Sequence, residues 1–389
     1  MNIATAATAP TNTTDIAICG AGPVGMALAL MLLEQGMAAE KILLIDGKTA
    51  AQASRDPRSI ALSYGSAQLL QAIAAWPLTT TPIHQIHISR RAYFGRTLID
   101  RADVGVPALG YVTRYGELVS ALSQRCIAAG IPLLRPVHLR SATETTHGVA
   151  LRLDDERVLH AEILVQAEGG VYLEQSTKST HRDYGQSALV AHVKVSRPLA
   201  QRAFERFTDE GPLALLPQDD GYALVWCASA ATIDALMLLS EAEFLQRLEH
   251  AFGSRLGHFT HAGVRGTYVL GLNADPAASS RIVAIGNAAQ TLHPVAGQGL
   301  NLGLRDAAVL ARRLAHHPTP SVLAEFQRSR STDRSSTIWL TDLMARAFIS
   351  PAQGSLTQMA LGLSLGLTDV IKPLKKRLAE QMMFGQRDT

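Results

Sequence analysis

Hydrophobic positions near the start of the chain follow the order strand, helix, strand. An apolar run over residues 15–19 precedes a mostly apolar segment over 26–36 that is typical of a buried helix. A second apolar run, residues 41–46, ends in Asp46. This order predicts a β-α-β unit at the beginning of a parallel sheet.

The hydrophobic period changes further along the chain. Helical spacing is found over residues 64–75 and 116–129, two strands are predicted within 84–100, and another strand is predicted over 158–166. From 183 to 272 apolar residues alternate with polar or small ones, and one helix is expected near 241–253. We therefore expect an α/β fold with an inserted, mainly antiparallel sheet of α+β character and a C-terminal helical segment.

These changes of period divide the chain into three parts. The first domain is expected to be discontinuous, formed by residues 14–75, 110–182 and 273–330. Residues 76–109 and 183–272 are expected to form the inserted sheet, which would cover the first domain and enclose a mostly apolar cavity. Residues 331–389 are expected to form the helical segment.

A glycine motif lies between the first strand and the first helix. Gly20, Gly22 and Gly25 form the pattern G-x-G-x-x-G, with Pro23 and Val24 inside it. In this position the first glycine permits a tight turn, the second lets a pyrophosphate approach the backbone, and the third allows close helix packing. Asp46, 21 residues after Gly25, occupies the place of a ribose-binding carboxylate and disfavours a 2′-phosphate. The motif predicts a bound dinucleotide, NAD or FAD.

A second glycine-rich loop occurs near residue 297. It follows an apolar strand at 281–285 and leads into a helix with a stripe of apolar residues at Leu300, Leu304, Ala307, Ala311 and Leu314. Glycines at 297, 299 and 303 are not required by that periodicity, but they allow close backbone approach. The N-terminus of the helix offers unpaired N–H groups and partial positive charge, which suit an anionic or electron-rich cofactor edge.

Composition excludes several other classes of protein. The 389 residues are 47% hydrophobic and 18% charged, which favours a folded chain with a large core. The net charge of +3, without a basic block interleaved with aromatics, argues against a nucleic-acid partner. Three widely spaced cysteines argue against a disulfide framework and against a zinc site, and no metal is expected.

Together these motifs resemble the class A flavoprotein monooxygenases, which are aromatic hydroxylases with one G-x-G-x-x-G FAD domain. The resemblance extends from residue 15 to about 385 and is closest to the ubiquinone-biosynthesis hydroxylases, in particular those that act on 2-polyprenyl-6-methoxyphenol. Residues 286–299 match the family's G-D-A-A-H-x-x-x-P motif in a variant form, and residues 183–186, 205–208 and 211–217 match further segments.

The resemblance implies a set of site residues. The cofactor-binding positions are Gly20, Gly22, Pro23, Val24, Gly25, Asp46, Arg58, Asn287, Pro294, Gly297, Gln298, Gly299, Leu300 and Asn301. His293 and Pro294 are the catalytic candidates; a loop-structuring hydrogen bond is the alternative role for His293, and a surface salt bridge is the alternative for Arg58. The amides of residues 297–301 would face the edge of the flavin that becomes anionic on reduction.

The implied activity is hydroxylation of a polyprenylated phenol with FAD, NAD(P)H and O₂ through a flavin C4a-hydroperoxide. Two alternatives remain open: hydroxylation of another hydrophobic aromatic, and a catalytically silent flavoprotein scaffold in a quinone-biosynthesis complex. The chain departs from the family pattern in two regions. Glu168 replaces the aspartate of the usual Asp-Gly motif and the serine and arginine that normally follow are missing; this altered motif is the only feature that favours the scaffold. Gly116 replaces an arginine, with Arg114 one turn away as a conjectural substitute.

Location and partners follow from the same pattern. Residues 1–14 lack the features of a signal peptide and are read as a frayed tail, and no apolar run approaches the roughly 20 residues that span a bilayer. A cytoplasmic protein is expected.

The basic segment 371–382, with apolar residues on one side, would either pack on the body of the protein or make peripheral contact with an anionic membrane. Partners from a quinone-biosynthesis complex are a further expectation.

Overall fold

The structure, a computed structural model, describes residues 13–91, 96–168, 180–274, 279–291, 297–315, 319–347 and 372–385. The strands are β1 Thr13–Cys19, β2 Ile42–Ile45, β3 Ser59–Ser63, β4 Thr81–Ile83, β5 Gln85–Arg90, β6 Arg96–Asp100, β7 Gly110–Arg114, β8 Leu133–Leu134, β9 Leu139–Thr145, β10 Gly148–Leu153, β11 Val158–Gln166, β12 Thr180–Val195, β13 Arg202–Phe207, β14 Pro212–Gln218, β15 Gly221–Ser229, β16 Phe259–Ala262, β17 Gly266–Ala274, β18 Ile282–Ala284 and β19 Gln290–Thr291. The α-helices are α1 Pro23–Glu34, α2 Ala50–Ser54, α3 Tyr64–Ala72, α4 Tyr115–Ala128, α5 Ala230–Leu238, α6 Glu241–Phe252, α7 Gln298–Leu314, α8 Pro320–Ala347 and α9 Lys372–Phe384.

The first sheet carries the glycine motif. Strands β8, β2, β1, β11 and β18 run parallel, and β10 and β9 extend the sheet in antiparallel fashion. The parallel strands are buried on both faces: α1 and α7 pack together on one side, and the β9–β10 hairpin contributes to a second cluster on the other. The β-α-β prediction is confirmed.

The second sheet has nine strands and is mainly antiparallel. Its order is β19, β17, β12, β15, β14, β13, β5 and β6, with β16 also paired to β12, and only β13 and β5 run parallel to each other. A small third sheet, β3, β7 and β4, lies between the two large ones and contacts the second sheet through the apolar cluster of Ile83, Val112 and Ala203. The predicted α/β fold with an α+β insert is confirmed.

One prediction for the insert is wrong, because two helices interrupt its strands. In addition to α6, α5 spans Ala230–Leu238, where the Ser229 side chain accepts a hydrogen bond from the Thr232 amide and caps the helix. Ile233 and Leu236 of α5 pack on the face of the nine-stranded sheet that also contacts α6. Their spacing is therefore helical and departs from the alternation of apolar and polar residues expected for a strand. A short run of this kind is ambiguous between helix and strand.

A buried cluster of five charged residues joins α7 to α8. We refer to it as the arginine–aspartate cluster: Arg305, Asp306, Arg330, Asp333 and Arg334. Asp306 is fully buried and receives hydrogen bonds from Arg330 Nε at 2.8 Å and Arg334 Nη2 at 2.9 Å. The cluster fixes the position of α7, whose N-terminus forms part of the site described below.

The C-terminal helix α9 packs on the body of the protein. Ala379 and Met383 are buried in a cluster with Leu109 and Phe207, while Lys376 and Arg377 are exposed. Packing is thus the arrangement found for residues 372–385, whereas Ile371 lies outside the described residues. Of the helices that the structure describes, none is long and apolar enough to cross a membrane.

Candidate active site

The glycine motif forms a tight turn at the carboxyl end of β1. Gly20 adopts φ +105°, and a Cβ at this position would lie 2.6 Å from the backbone of Ala167. A Cβ at Gly25 would lie 1.9 Å from the carbonyl oxygen of Gly20, so only glycine allows α1 to start this close to the strand. Gly22 differs, because its nearest neighbour would be the Tyr115 hydroxyl at 3.6 Å. The space beside Gly22 is therefore open to a ligand.

The start of α1 is suited to an anion. Gly22 is the N-cap, no described side chain caps it, and the first turn contains no acidic residue. Pro23 provides a fixed φ at the first helical position without an N–H group. The first-turn amides are thus left for a phosphate, as in other helix N-termini that bind pyrophosphate.

Asp46 contacts the glycine turn directly. Its Oδ2 accepts a hydrogen bond from the Ala21 amide at 2.7 Å, and its Oδ1 accepts one from the Lys48 amide at 2.7 Å. Arg135, which follows β8 at the same sheet edge, donates from Nη2 to the Ala21 carbonyl and lies 3.8 Å from Asp46 Oδ2. Asp46 therefore shapes the loop as well as occupying the expected ribose position.

Arg135 is a candidate site residue that the sequence did not reveal. Its side chain is buried, and among the described residues its Nε and Nη1 have no hydrogen-bond partner. Unpaired buried guanidinium N–H groups are costly, and an anionic ligand would satisfy them. No glycine or strand pattern marks Arg135 in advance; only its position at the carboxyl edge of the parallel strands does so.

Arg58 lies between aromatic rings. Its guanidinium carbon is 4.9 Å from the centre of the Tyr115 ring and 5.4 Å from that of Tyr268, and its Nη2 is 2.6 Å from Asp56 Oδ2. Burial acts to lower the pKa of Arg58, but the hydrogen bond and the charge attraction from Asp56, with smaller contributions from Tyr115 and Tyr268, together raise that pKa. The side chain is thus held in an ion pair beside the glycine motif, and its cofactor contact stays a prediction.

The second glycine loop meets the first. Gly297 adopts a left-handed conformation, φ +59°, and forms the N-cap of α7, again without a described side-chain cap or an acid in the first turn. A Cβ at Gly303 would lie 2.7 Å from the Val24 side chain and 3.1 Å from Cα of Gly286. Val24 therefore packs between the two loops, and its predicted role in cofactor binding includes this structural contact.

Asn301 joins α7 to strand β3. Its Oδ1 accepts a hydrogen bond from the Ser63 amide at 2.8 Å, and its Nδ2 donates to the carbonyl oxygens of Ala61 at 3.0 Å and Gly297 at 2.8 Å. The side chain is buried and its hydrogen-bonding atoms are occupied by the protein. Asn301 thus positions the loop, and any direct contact with a cofactor would come from its backbone.

The remaining predicted residues surround the same loop. Oδ1 of Asn287 would be 3.9 Å from a Cβ at Gly299, which places the two at one edge of the site, and Leu300 follows in the first turn of α7. The Gln298 side chain donates to the carbonyl oxygen of Met382 in α9 at 3.4 Å. His293 and Pro294 lie outside the described residues, so their catalytic role stays a prediction.

Both departures from the family pattern have local contacts. The Cys19 thiol donates to Glu168 Oε1 at 3.5 Å at the end of β1, and burial together with Glu168 raises the pKa of that thiol. A Cβ at Gly116 would lie 2.1 Å from the carbonyl oxygen of Ser54, so glycine lets α4 pack against α2. Arg114 forms an exposed ion pair with Asp219 at 2.6 Å.

These features fit a bound dinucleotide with an electron-rich ring at one end. The α1 amides and Arg135 suit its phosphates, and the uncapped N-terminus of α7 suits a negatively charged ring edge. Within the described residues, no group of three or more His, Cys, Asp or Glu side chains could hold a metal ion.

Comparison with known families identifies the cofactor. The sequence model of the FAD-binding domain family matches residues 13–337. The chain belongs to this family. It is an FAD-dependent aromatic hydroxylase, as the resemblance of its motifs to the class A monooxygenases implied.

Two similar proteins are named as ubiquinone enzymes. The ubiquinone hydroxylase UbiL of Rhodospirillum rubrum is 31% identical over 391 residues, which covers 95% of this chain and 89% of that protein. The 3-demethoxyubiquinol 3-hydroxylase of Escherichia coli K12 is 30% identical over 308 residues, covering 76% and 78% of the two chains.

Solved structures support the same fold. The p-nitrophenol 4-monooxygenase PnpA of Pseudomonas putida superimposes with a TM-score of 0.76 at 15% identity, covering 97% of this chain and 100% of that one. A single-residue variant of HpxO from Klebsiella pneumoniae, solved in complex with FAD, gives a TM-score of 0.71 at 13% identity, with 94% and 99% covered.

Proposed function

We propose that this chain hydroxylates the aromatic ring of a polyprenylated phenol in ubiquinone biosynthesis, with NAD(P)H and O₂ as co-substrates. The similarity to the Rhodospirillum and Escherichia ubiquinone hydroxylases, at 30–31% identity over most of each chain, carries the proposal. The Escherichia enzyme is named for hydroxylation of 3-demethoxyubiquinol, whereas we choose 2-polyprenyl-6-methoxyphenol within this substrate class on the sequence motifs alone.

The chain's own contribution is to bind, orient and shield. When bound, FAD supplies the activated oxygen that is transferred to the ring. The α1 N-terminus and Arg135 would hold the phosphates, and the amides after Gly297 would stabilise negative charge at the ring edge. Asn301 keeps that loop against β3 and so fixes where the ring can lie.

The inner face of the nine-stranded sheet suits a hydrophobic phenol. Ile86, Ile88, Ala203, Phe207 and Leu216 lie on this face, toward the three-stranded sheet and α9. Apolar side chains here would exclude water from the reaction and accommodate a prenyl tail. Membrane contact through the exposed Lys376 and Arg377 of α9, and assembly with other enzymes of the pathway, are further parts of the proposal.

The deciding experiment combines genetics with an assay of the purified protein. A deletion strain should accumulate a polyprenylated phenol that lacks one ring hydroxyl, and the wild-type gene should remove it. The purified protein should be yellow and should oxidise NAD(P)H faster when a prenylated phenol is added. An unchanged profile of quinone intermediates in the deletion strain would exclude the proposal. A catalytically silent scaffold would instead bind FAD, yet show no turnover with any quinone precursor.

A further inference from the structure

Glu205 is an ionisable residue on the apolar inner face of the nine-stranded sheet. It lies in β13 between Ala203 and Phe207, and alternation along a strand places these three side chains on one face. Ala203 packs with Ile83 and Val112 of the three-stranded sheet, and Phe207 packs with Leu109 and with α9. The Glu205 side chain therefore points toward the FAD-binding part of the molecule.

The neighbours of Glu205 on the adjacent strands are Ile88 in β5 and Ala214 in β14. Neither can donate a hydrogen bond from its side chain, and in the described part of the chain no donor reaches the Glu205 carboxyl. The residue is nevertheless only half-buried. An enclosed carboxyl that still has space beside it is consistent with a position lining a ligand cavity.

The same cluster reaches the flavin-edge loop. Ala61 belongs to the cluster that contains Ala203, and its Cβ lies 3.5 Å from the place that a Cβ at Gly297 would occupy. Glu205 is thus separated from the N-terminus of α7 by a short series of packed side chains. This is the region in which a substrate ring must lie if it is to react next to the flavin.

We propose that Glu205 binds the ring hydroxyl of the phenol substrate and takes its proton during hydroxylation. This inference rests on the proposed function. The substrate O–H bond breaks, its proton moves to the Glu205 carboxylate, and the freed electron pair makes the ring more nucleophilic toward the transferred oxygen. As the ring loses the hydrogen of the hydroxylated carbon to solvent, Glu205 returns its proton to the original oxygen.

The ionisation of Glu205 suits this role. Desolvation raises the pKa of its carboxyl to about 7, so both protonation states are accessible near neutral pH. Arg202 and Arg206 alternate to the opposite face of β13, whereas Arg90 of β5 pairs with Phe207 in the register and is a buried cation on the same face as Glu205. Strand β14 has no charged residue, and Cys227 of β15 has a pKa raised by burial and then by Glu205, so it stays neutral. On the opposite side, Tyr64 and the α9 residues Ala379 and Met383 bring no charge close to it.

The test compares Glu205→Gln with Glu210→Gln, an exposed glutamate after the same strand. A 2-prenyl-6-methoxyphenol with one isoprene unit is the substrate, and its methyl ether, which cannot donate a hydrogen bond, is the binding control. In the wild type the KM for the phenol should fall as pH rises through about 7, because the ionised carboxyl is the better acceptor. Glu205→Gln should lose this pH dependence and about 100-fold in kcat/KM above neutral pH.

Several outcomes separate this inference from the proposed function. Binding of the methyl ether and of FAD should be equal in the wild type and in Glu205→Gln, whereas the preference for phenol over ether should weaken in the variant and should no longer change with pH. If the wild type hydroxylates the phenol but Glu205→Gln keeps its pH profile and stays within about threefold, the role of Glu205 is excluded. If the wild type itself hydroxylates no prenylated phenol, the proposed function fails first.

Discussion

The backbone amide of Ala21 donates a hydrogen bond to the Asp46 carboxylate at 2.7 Å, so the acid that follows the second strand holds the glycine turn after the first. The other carboxylate oxygen accepts from the Lys48 amide. The spacing of 21 residues between Gly25 and Asp46 therefore serves a direct contact within the free protein, in addition to the ribose contact that the sequence predicts.

Asp46→Ala should weaken FAD binding by about 10- to 100-fold. The change removes two hydrogen bonds to a charged group, each of which contributes about 1.5–3 kcal/mol, and part of that loss will fall on the bound state. Fluorescence titration of the apoprotein with FAD measures the affinity. Asp15→Ala, which removes from β1 a partly exposed partner of Lys41, should change it less than about threefold. Equal affinities of the two variants would contradict this role of Asp46.

Gly25→Ala and Gly22→Ala should have opposite effects on stability and on binding. A methyl group at residue 25 would meet the Gly20 carbonyl oxygen at 1.9 Å, and we expect a loss of at least about 2 kcal/mol in the free energy of unfolding. Gly22 has φ −80° and, among the residues that the structure describes, no close neighbour, so the alanine variant should fold normally but bind FAD poorly, because its methyl occupies the space for the pyrophosphate. Urea denaturation and FAD titration of both apoproteins distinguish these results. Normal FAD affinity in Gly22→Ala would contradict the placement of the phosphates.

How far the sequence predicts this structure depends on the range of the interactions involved. The glycine turn, α1 and α7 were predictable because their residues are close in sequence and have one dominant period. The β9–β10 hairpin and the strands of the third sheet, β3, β4 and β7, were not assigned, since short strands with mixed burial give little periodic signal.

The candidate site shows the same distinction between contacts that are local in sequence and contacts that form only in the folded chain. Glycines that a turn requires could be recognised in advance, but Arg135 could not, because it reaches Ala21 across 114 residues. The sequence predicts that Asn301 binds the cofactor, whereas its side chain is hydrogen-bonded to the backbone of Ala61 and Ser63. No local sequence pattern indicates these two contacts. Glu205 stands out only after the strand register shows which face of the sheet it occupies.

Asp306→Asn should destabilise the protein by about 3–5 kcal/mol. It removes one of the two carboxylates that pair with Arg330, which is almost fully buried, together with the carboxylate that pairs with Arg334 in the arginine–aspartate cluster. The matched control is Arg313→Gln, which breaks the exposed Arg313–Glu325 pair between the same two helices and should cost less than about 1 kcal/mol. Urea denaturation with FAD present measures both. Similar losses in the two variants would show that the cluster does not fix α7.

Restoring the family's arginine by Gly116→Arg should impair the protein instead of improving it. The Cβ alone would lie 2.1 Å from the Ser54 carbonyl oxygen, so α4 must move away from α2, at a cost of about 1–3 kcal/mol or more. Glu117→Gln, at the next and exposed position of α4, should be nearly neutral. Thermal unfolding and NAD(P)H oxidation of the two variants provide the comparison. A Gly116→Arg protein with wild-type stability and faster turnover would contradict this account of the departure.

Glu205→Gln should make the protein more stable near pH 8 but not near pH 4. Because the folded-state pKa of Glu205 is raised to about 7, its burial favours folding below the unfolded value near 4.5, and this contribution is lost as pH rises toward 7. The amide has no charge to bury, so the variant should avoid a loss of at most about 3.5 kcal/mol, given about 1.4 kcal/mol per pKa unit. Urea denaturation of the apoproteins between pH 4 and 8 measures the difference, and Glu210→Gln should follow the wild type throughout. A constant difference between Glu205→Gln and the wild type across this range would show that the carboxyl does not titrate in the folded protein as its enclosed position requires.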